Sequence, residues 1–279
     1  MKTVSVIPNK IKDKDFRVLR SVVRILEKQV KVLVDIGSCG RIDGLRAAQR
    51  RGAELYKRAD CIIGLGGDGT LLSIAPKASL YDKPMFGVNL GRVGFLSSVE
   101  VDTFEEKWQQ IMRGEYRIES RMMLETDYQS RKRTALNDVV ITRESFSRMI
   151  ELQIHVDGIM VDSYMADGII IATPTGSTAY SLSAGGPVVH PNMDTILITP
   201  ICPHDLYARP IVLPADRTVS IKIGNTYRYT AKITVDGRRD RVMTCGDELF
   251  VTRAPRSCKL IKVDGKSFYD IVREKIAGK

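Results

Sequence analysis

No apolar run in the sequence approaches the roughly 18–20 residues that a helical membrane span requires. The opening stretch MKTVSVIPNK offers Val4, Val6 and Ile7, which Pro8 and Lys10 cut off at once, so it reads as a short first strand and not as the core of a signal peptide. The five cysteines (Cys39, Cys61, Cys202, Cys245, Cys258) are odd in number and include no C-x-x-C pair, which excludes a zinc ribbon and a disulfide framework. A reducing cytosol is the natural compartment for such a chain. The three histidines, His155, His190 and His204, lack metal-ligand spacing, and no nucleophile elbow supports a hydrolase triad. Aromatic residues, at 6%, are too sparse for a base-stacking platform, and no nucleic-acid motif is present. These absences leave a soluble cytoplasmic protein without a membrane or nucleic-acid partner.

Cation is what the chain has in excess: 43 Lys and Arg against 33 Asp and Glu, a formal charge of +10. The densest clusters, Arg131-Lys132-Arg133 and Arg238-Arg239-Asp240-Arg241, fall where strand ends or hairpin tips are expected. Solvated surface charge is the first reading of them, and a phosphate-rich ligand the second.

The first hundred residues alternate strand and helix patterns. Val4–Ile7, Lys31–Ile36, Cys61–Leu65 and Met85–Val88 read as strands; Phe16, Leu19, Val23 and Leu26, then Leu45, Ala48 and Leu55, then Thr70–Ala78, read as helices. The alternation predicts an α/β domain over residues 1–100, a Rossmann-like parallel sheet with its ligands at the carboxyl ends of the strands. From residue 101 to 255 the pattern becomes mainly β. It follows a helix bearing Phe104, Trp108, Ile111 and Met112, with Thr103 and Glu106 as a capping box. Asp157-Gly158 and Asp236-Gly237 are hairpin signals. The last residues, Lys266–Lys279, have a basic helical pattern, which does not say which domain they pack on.

Three polar stretches carry the chemistry. In CIIGLGGDGTLLSIA, Gly64 to Gly69 fits G-x-G-x-x-G, yet Asp68 opposes a bare pyrophosphate clamp and no Walker lysine follows. Helix capping is one use for Asp68; addressing a hydroxyl or a metal beside phosphates admitted by Gly66, Gly67, Gly69 and Thr70 is the other. A second glycine loop, Asn89-Leu90-Gly91-Arg92-Val93-Gly94, falls at the end of the next strand. In ADGIIIATPTGSTAYSLSAGGPVVHP, the hydroxyls of Thr173, Thr175, Ser177, Thr178, Ser181 and Ser183 surround one aromatic, Tyr180. Turn chemistry explains any one of them; a base edge with a flat face beside it explains the tract. In ALNDVVI, Asn137 and Asp138 head an apolar strand although both are poor strand formers, so turn chemistry or a ribose diol must account for them.

These stretches, in this order and approximate spacing from about residue 60 to 240, resemble the NAD kinase family. The glycine turn alone is shared with diacylglycerol kinase-like and phosphofructokinase-like enzymes; the long tract from Thr173 to Pro191 is the specific part. The resemblance implies transfer of the terminal phosphoryl group of ATP, or of polyphosphate, to the 2′-hydroxyl of the adenosine ribose of NAD, with Mg²⁺ or another divalent cation. It implies an α/β domain and a β-rich domain, with residues 256–279 returning to the first, and assembly as a homodimer or homotetramer. Motif by motif, Asp68 would be the general base or metal-organising acid, with Gly66, Gly67, Gly69 and Thr70 toward the phosphoryl donor and the cation held through phosphates. Asn137 and Asp138 would bind ribose hydroxyls, and Thr178, Ala179, Tyr180, Ser181, Leu182 and Ser183 would line the adenosine end. Asp167 and Arg148 would reach the nicotinamide end, across a subunit interface. Two positions depart from the family pattern: Met165 replaces a basic residue two before Asp167, and Arg238 stands where a glutamine is expected after Asp236-Gly237. A lipid or sphingoid-base kinase with the same turn would need an apolar slot, which the polar tract opposes; a non-catalytic NAD(H)-binding regulator would have no use for Asp68.

Overall fold

The computed structural model describes residues 1–37, 40–91, 94–96, 99–144, 148–224, 230–263 and 267–276. The chain divides into two compact units, Met1–Ser120 with Cys258–Lys279, and Arg121–Ser257.

The first unit is an eight-stranded sheet. Its strands are β1 (Thr3–Pro8), β2 (Lys31–Asp35), β3 (Ala48–Arg50), β4 (Cys61–Gly66), β5 (Met85–Asn89), β6 (Val99–Glu100), β7 (Arg117–Arg121) and the returning strand Cys258–Lys262. The order is β3-β2-β1-β4-β5, then Cys258–Lys262, then β7, with β6 also beside β5. β1 runs parallel to both β2 and β4, and β4 runs parallel to β5. β4 is buried along its whole length, as a strand covered on both faces must be, which is why CIIGLG reads as a continuous apolar run. The strand order reverses between β1 and β4, so a crevice opens beyond Pro8 and Gly66, where such sheets take their ligands.

The helices are α1 (Arg17–Leu26), α2 (Ala53–Arg58), α3 (Asp68–Leu80) and α4 (Phe104–Met112). Leu19, Val22, Val23 and Leu26 of α1 are buried together with Phe104, Trp108 and Ile111 of α4. Trp108 Nε1 donates to Gln29 Oε1 at 3.0 Å. Because α4 shares this core, the boundary between the units follows Ser120 and does not lie near residue 100. The helix expected over Leu45 to Leu55 is instead β3 followed by the short α2: Ala48 pairs with Leu33, and Gly52, at φ 62°, turns the chain between the two elements. Nor is there a capping box, since Thr103 Oγ1 donates to the Glu100 carbonyl at 3.3 Å and no side chain caps α4. The final helix is Phe268–Ile276. No helix among the described residues is long and apolar enough to cross a membrane.

The second unit packs two antiparallel six-stranded sheets. Its strands are β8 (Leu124–Tyr128), β9 (Arg131–Ala135), β10 (Asp138–Arg143), β11 (Ile150–Val156), β12 (Ile159–Ala166), β13 (Gly168–Ala172), β14 (Thr195–Ile201), β15 (Ile211–Pro214), β16 (Val219–Ile223), β17 (Thr230–Val235), β18 (Arg238–Thr244) and β19 (Glu248–Arg253). The orders are β15-β14-β13-β10-β17-β18 and β12-β11-β16-β19-β8-β9. Both Asp-Gly hairpins form, with φ positive at each residue: 51° and 81° at Asp157-Gly158, 47° and 72° at Asp236-Gly237. Period-two alternation sends Ile169 and Ile171 of β13 into the main core. Ile170 and Ala172 join Val140, Val189 and Leu197 in a second cluster beneath the hydroxyl-rich tract.

α1 has an unusual start. Phe16 precedes it at φ 54°, no side chain caps it from that position, and the buried Asp13 carboxylate instead accepts the N–H groups of Val18 (3.3 Å) and Leu19 (2.9 Å). Asp13→Ala is therefore expected to destabilise the first unit by about 1–2 kcal/mol, the scale of a lost cap, read as a lower midpoint in denaturant unfolding. An unchanged midpoint would show that these two bonds are not needed to start α1.

Candidate functional site

In the first unit the glycine turn closes β4 and opens α3. A Cβ on Gly66 would collide with the Thr70 side chain, and a Cβ on Gly94 would collide with the Asp68 carboxylate, so both positions require glycine for close approach. Asp68 does not cap its own helix. Its carboxylate accepts the N–H of Phe95 at 2.7 Å and of Leu96 at 3.2 Å, tying the second glycine loop to the first. Arg92 and Val93 of that second loop lie outside the described residues. No side chain caps the N-terminus of α3, so its positive end faces the crevice. Thr70 is buried and its Oγ1 accepts from Asn9 Nδ2 at 2.9 Å, while Gly69 is exposed.

In the second unit Asn137 and Asp138 stand at the head of β10, braced by a residue that gave no functional signal in the sequence. The Asp236 carboxylate accepts three successive backbone N–H groups, from Leu136 (2.8 Å), Asn137 (2.8 Å) and Asp138 (3.2 Å). The hydroxyl-rich tract docks on the same segment: Thr173 N donates to the Asn137 carbonyl at 2.8 Å, Thr173 Oγ1 donates to the Leu136 carbonyl at 2.6 Å, and Gly176 lies so close to the Asn137 backbone that any Cβ would collide. Asp138 is 5% exposed and its carboxylate makes no hydrogen bond among the described residues. Burial first, and the Asp236 charge second, push its pKa up from 3.8 to about 7. Burial raises Asp236 as well, against the opposing pull of its three amides.

The tract itself is a 3₁₀ turn, Thr175–Thr178, followed by the one-turn helix α5 (Tyr180–Ser183). Several of its hydroxyls point inward. Ser177 Oγ donates to the Pro174 carbonyl at 2.7 Å and accepts from Val189 N at 3.0 Å, and Ser181 Oγ bonds Thr199 Oγ1 at 2.8 Å. Ser181, expected to line the adenosine end, is thus fully buried, and its hydroxyl serves the fold. Tyr180 is 44% exposed, Ser183 is exposed, and Thr178, Ala179 and Leu182 are half-buried.

Asp167 sits at the opposite end of β13 from Ala172, the register partner of Asp138, which places it roughly 17 Å along the strand. Its carboxylate meets the Arg143 guanidinium at 2.7 Å, a partner that nothing in the sequence marked. Met165 lines a 530 Å³ cavity with Glu151, Ser163, Tyr164, His204 and Asp205. Arg148 and Arg238 are exposed; Arg238 follows the Asp236-Gly237 turn, close enough for its charge to favour the ionised Asp236.

The perturbed Asp138 gives a pH dependence of definite sign. The folded chain keeps this proton up to about 7, whereas the unfolded chain releases it near 3.8, so the folded state binds more protons in between. The stability linked to it is complete below the unfolded value and lost as pH rises through the folded one. The midpoint of thermal unfolding should therefore fall between pH ~5 and ~8 more steeply in the parent than in Asp138→Asn, as followed by calorimetry. Equal slopes would remove Asp138 as the titrating group.

Comparison with known proteins bears on this arrangement. Residues 4–116 match the model of the ATP-NAD kinase N-terminal domain, and residues 136–263 match that of the ATP-NAD kinase C-terminal domain. The chain is 41% identical to the NAD kinase of Caldanaerobacter subterraneus subsp. tengcongensis over 99% of both chains. It is 39% identical to that of Lachnoclostridium phytofermentans over the full length of both. Among solved structures, yeast NADH kinase complexed with NADH superposes with a TM-score of 0.85 at 27% identity, covering 100% of this chain and 88% of that one. An NAD kinase from Archaeoglobus fulgidus in complex with ATP shares the fold, with a TM-score of 0.75 at 24% identity over 99% of both chains. The glycine turn, the braced Asn137-Asp138 pair and the docked tract thus occur in a chain that matches bacterial NAD kinases over nearly its whole length, and it belongs to the NAD kinase family.

Proposed function

We propose that the chain transfers the terminal phosphoryl group of ATP to the 2′-hydroxyl of the adenosine ribose of NAD, giving NADP, with polyphosphate as an alternative donor. The observation that carries this reading is the 41% identity to a bacterial NAD kinase over 99% of both chains. Phosphoryl transfer asks a protein chiefly to position reactants and offset charge, and the residues suit that task. The open N-terminus of α3 and the bare backbone of Gly66, Gly67 and Gly69 suit phosphate oxygens. Asn137, with the largely buried Asp138 beside it, suits a ribose diol, and the exposed ring of Tyr180 suits one face of adenine. Asp167, with Arg143 against it, lies along β13 toward the nicotinamide end of an extended dinucleotide, with Met165 nearby and Arg148 supplying a second cation. Arg238 suits the phosphate made on the ribose.

Asp68 is the proposed general base or metal-organising acid. The bonds from Phe95 and Leu96, one to each carboxylate oxygen, fix its orientation for that role. A divalent cation such as Mg²⁺ fits this chain as a companion of the donor's phosphates. Among the described residues no group of three or more His, Cys, Asp or Glu could hold a metal by itself, whereas Mg²⁺ ordinarily takes one or two carboxylates together with phosphates and water. When bound, it would neutralise charge on the transferring group, with Asp68 the acid placed to orient it. Cytoplasmic location and assembly as a homodimer or homotetramer complete the proposal. Ile159, Met160 and Val161, exposed at 71%, 59% and 46% on the edge strand β12, favour association of copies.

The direct test supplies NAD and Mg²⁺ with either ATP or polyphosphate and measures NADP. Formation with neither donor would refute the reading. Asp68→Asn should lower kcat at least ~100-fold while the protein stays folded and NAD binding weakens no more than about tenfold. If kcat stayed within a few-fold while the melting temperature dropped, the Asp68 carboxylate would serve only to hold the loop at Phe95. Tyr180→Ala should raise KM for NAD by the equivalent of about 1–2 kcal/mol and move KM for ATP less. An unchanged KM for NAD would place Tyr180 outside the site.

A further inference from the structure

In PNKIKDKD, Lys10, Lys12 and Lys14 look like ordinary solvated charge interleaved with Asp13 and Asp15. The fold treats Lys12 differently. Asn9, the first residue beyond β1, accepts the N–H groups of Ile11 (3.0 Å) and Lys12 (3.3 Å) on its side-chain oxygen, and its amide donates to Thr70 at the start of α3. The loop after β1 is thereby pinned to the glycine turn after β4. Within it the Lys12 ammonium lies only 2.9 Å from where a Cβ on Gly67 would stand, and 3.7 Å from the corresponding point on Gly91. The neighbouring acids are engaged elsewhere: Asp13 receives the start of α1, and Asp15 lies 3.9 Å from Arg17. Among the described residues no carboxylate pairs with Lys12.

This placement has an electrostatic cost. The ammonium sits beside the positive end of a 13-residue helix whose one first-turn acid, Asp68, is turned to the amides of Phe95 and Leu96, so like charges meet at Gly67. An anion between them reverses the sign of that interaction. A second observation points into the same space. Asn89, 2% exposed at the end of β5, uses its amide nitrogen on the Gly91 carbonyl at 2.6 Å, which fixes the orientation of the group. Its oxygen is buried without a donor among the described residues, 3.8 Å from the same Gly67 position. A nucleoside triphosphate carries both complements: phosphoryl oxygens for the ammonium, and ribose hydroxyls or the water shell of its cation for the amide oxygen.

We propose that Lys12 binds the phosphoryl donor, its ammonium closing over the glycine turn at the carboxyl ends of β1 and β4 to take the charge of the donor's phosphate chain. The inference rests on the reading of the chain as an ATP-dependent NAD kinase, and adds a residue from a loop in which the sequence showed only surface charge. Gly67 belongs to the same device, since a side chain there would displace the ammonium.

The experiment compares the parent with Lys12→Met and Lys12→Arg. Parent activity with NAD, Mg²⁺ and ATP is established first. Lys12→Met should raise KM for ATP by about tenfold or more, the scale of one charge-assisted hydrogen bond, with KM for NAD within about twofold and the melting temperature unchanged. Inorganic tripolyphosphate, used as a competitor of ATP, should inhibit Lys12→Met correspondingly less well, and Lys12→Arg should recover most of the loss. The proposal is overturned if KM for ATP and inhibition by tripolyphosphate are both unchanged. It is equally overturned if the constants for both substrates rise together with a lower melting temperature, which would make Lys12 structural. If the parent forms no NADP, the reading of the function fails separately; calorimetric titration of tripolyphosphate into parent and Lys12→Met then decides the proposal, with equal affinities overturning it.

Discussion

The second unit depends on one carboxylate. Asp236 turns the hairpin between β17 and β18 with positive φ and spends its oxygens on three consecutive amides at the head of β10. Those amides span the end of the β9–β10 connection and the first residue of β10, and buried N–H groups without acceptors cost free energy. Once they are satisfied, the carbonyls of Leu136 and Asn137 point the other way and receive Thr173, and Gly176 can lie directly on the Asn137 backbone. The polar tract is therefore anchored through the backbone of the residues proposed to bind ribose. Asp138 is the residue that bears the consequence: its carboxylate is buried beside a second acid with no hydrogen bond among the described residues, and its ionisation is displaced toward neutral pH.

The first unit solves a related problem with absent side chains. Gly66, Gly67 and Gly94 each stand where a Cβ would strike Thr70, approach Lys12 or strike Asp68. The glycines thus bring polar groups from three loops into hydrogen-bonding range of one another, in addition to letting backbone approach a ligand. Asp68 illustrates the result. It is neither a helix cap nor an isolated acid, because it reaches 27 residues along the chain to hold the next loop.

What the sequence made legible was local or periodic. Alternation identified the parallel sheet of the first unit, the glycine turn fell at the strand end predicted for it, and both Asp-Gly hairpins formed as read. The failures had nonlocal causes. Gly52 converts a helical-looking stretch into β3 and a short helix, because pairing with β2 outweighs spacing that fits a helix face. The expected boundary near residue 100 ignored the shared core of α1 and α4. Asp236 read simply as a turn residue, since its amide partners lie about a hundred positions away, and the Arg143–Asp167 pair is likewise invisible without the β10–β13 register. Hydroxyls in the tract were legible as a group but not individually: composition cannot say that Ser177 and Ser181 face inward while Tyr180 faces out.

Charge shows the same distinction between composition and placement. The two basic clusters that dominate the sequence largely neutralise inside the second unit, partly within one sheet and partly across the two. Arg131 and Arg133 both reach Asp240 at 3.3 and 3.1 Å, Lys132 reaches Glu125 at 2.7 Å, and Arg239 reaches Glu144 at 2.9 Å. The cations of these pairs are largely solvated, so each pair contributes little to stability, and it also leaves little net field for a ligand to feel. A cation acts on a distant anion when its own surroundings withhold a counter-charge and fix its position. Density of basic residues along a sequence measures neither condition, which is why the longest basic runs here are surface and a single lysine in a short loop is the cation held against the open end of α3.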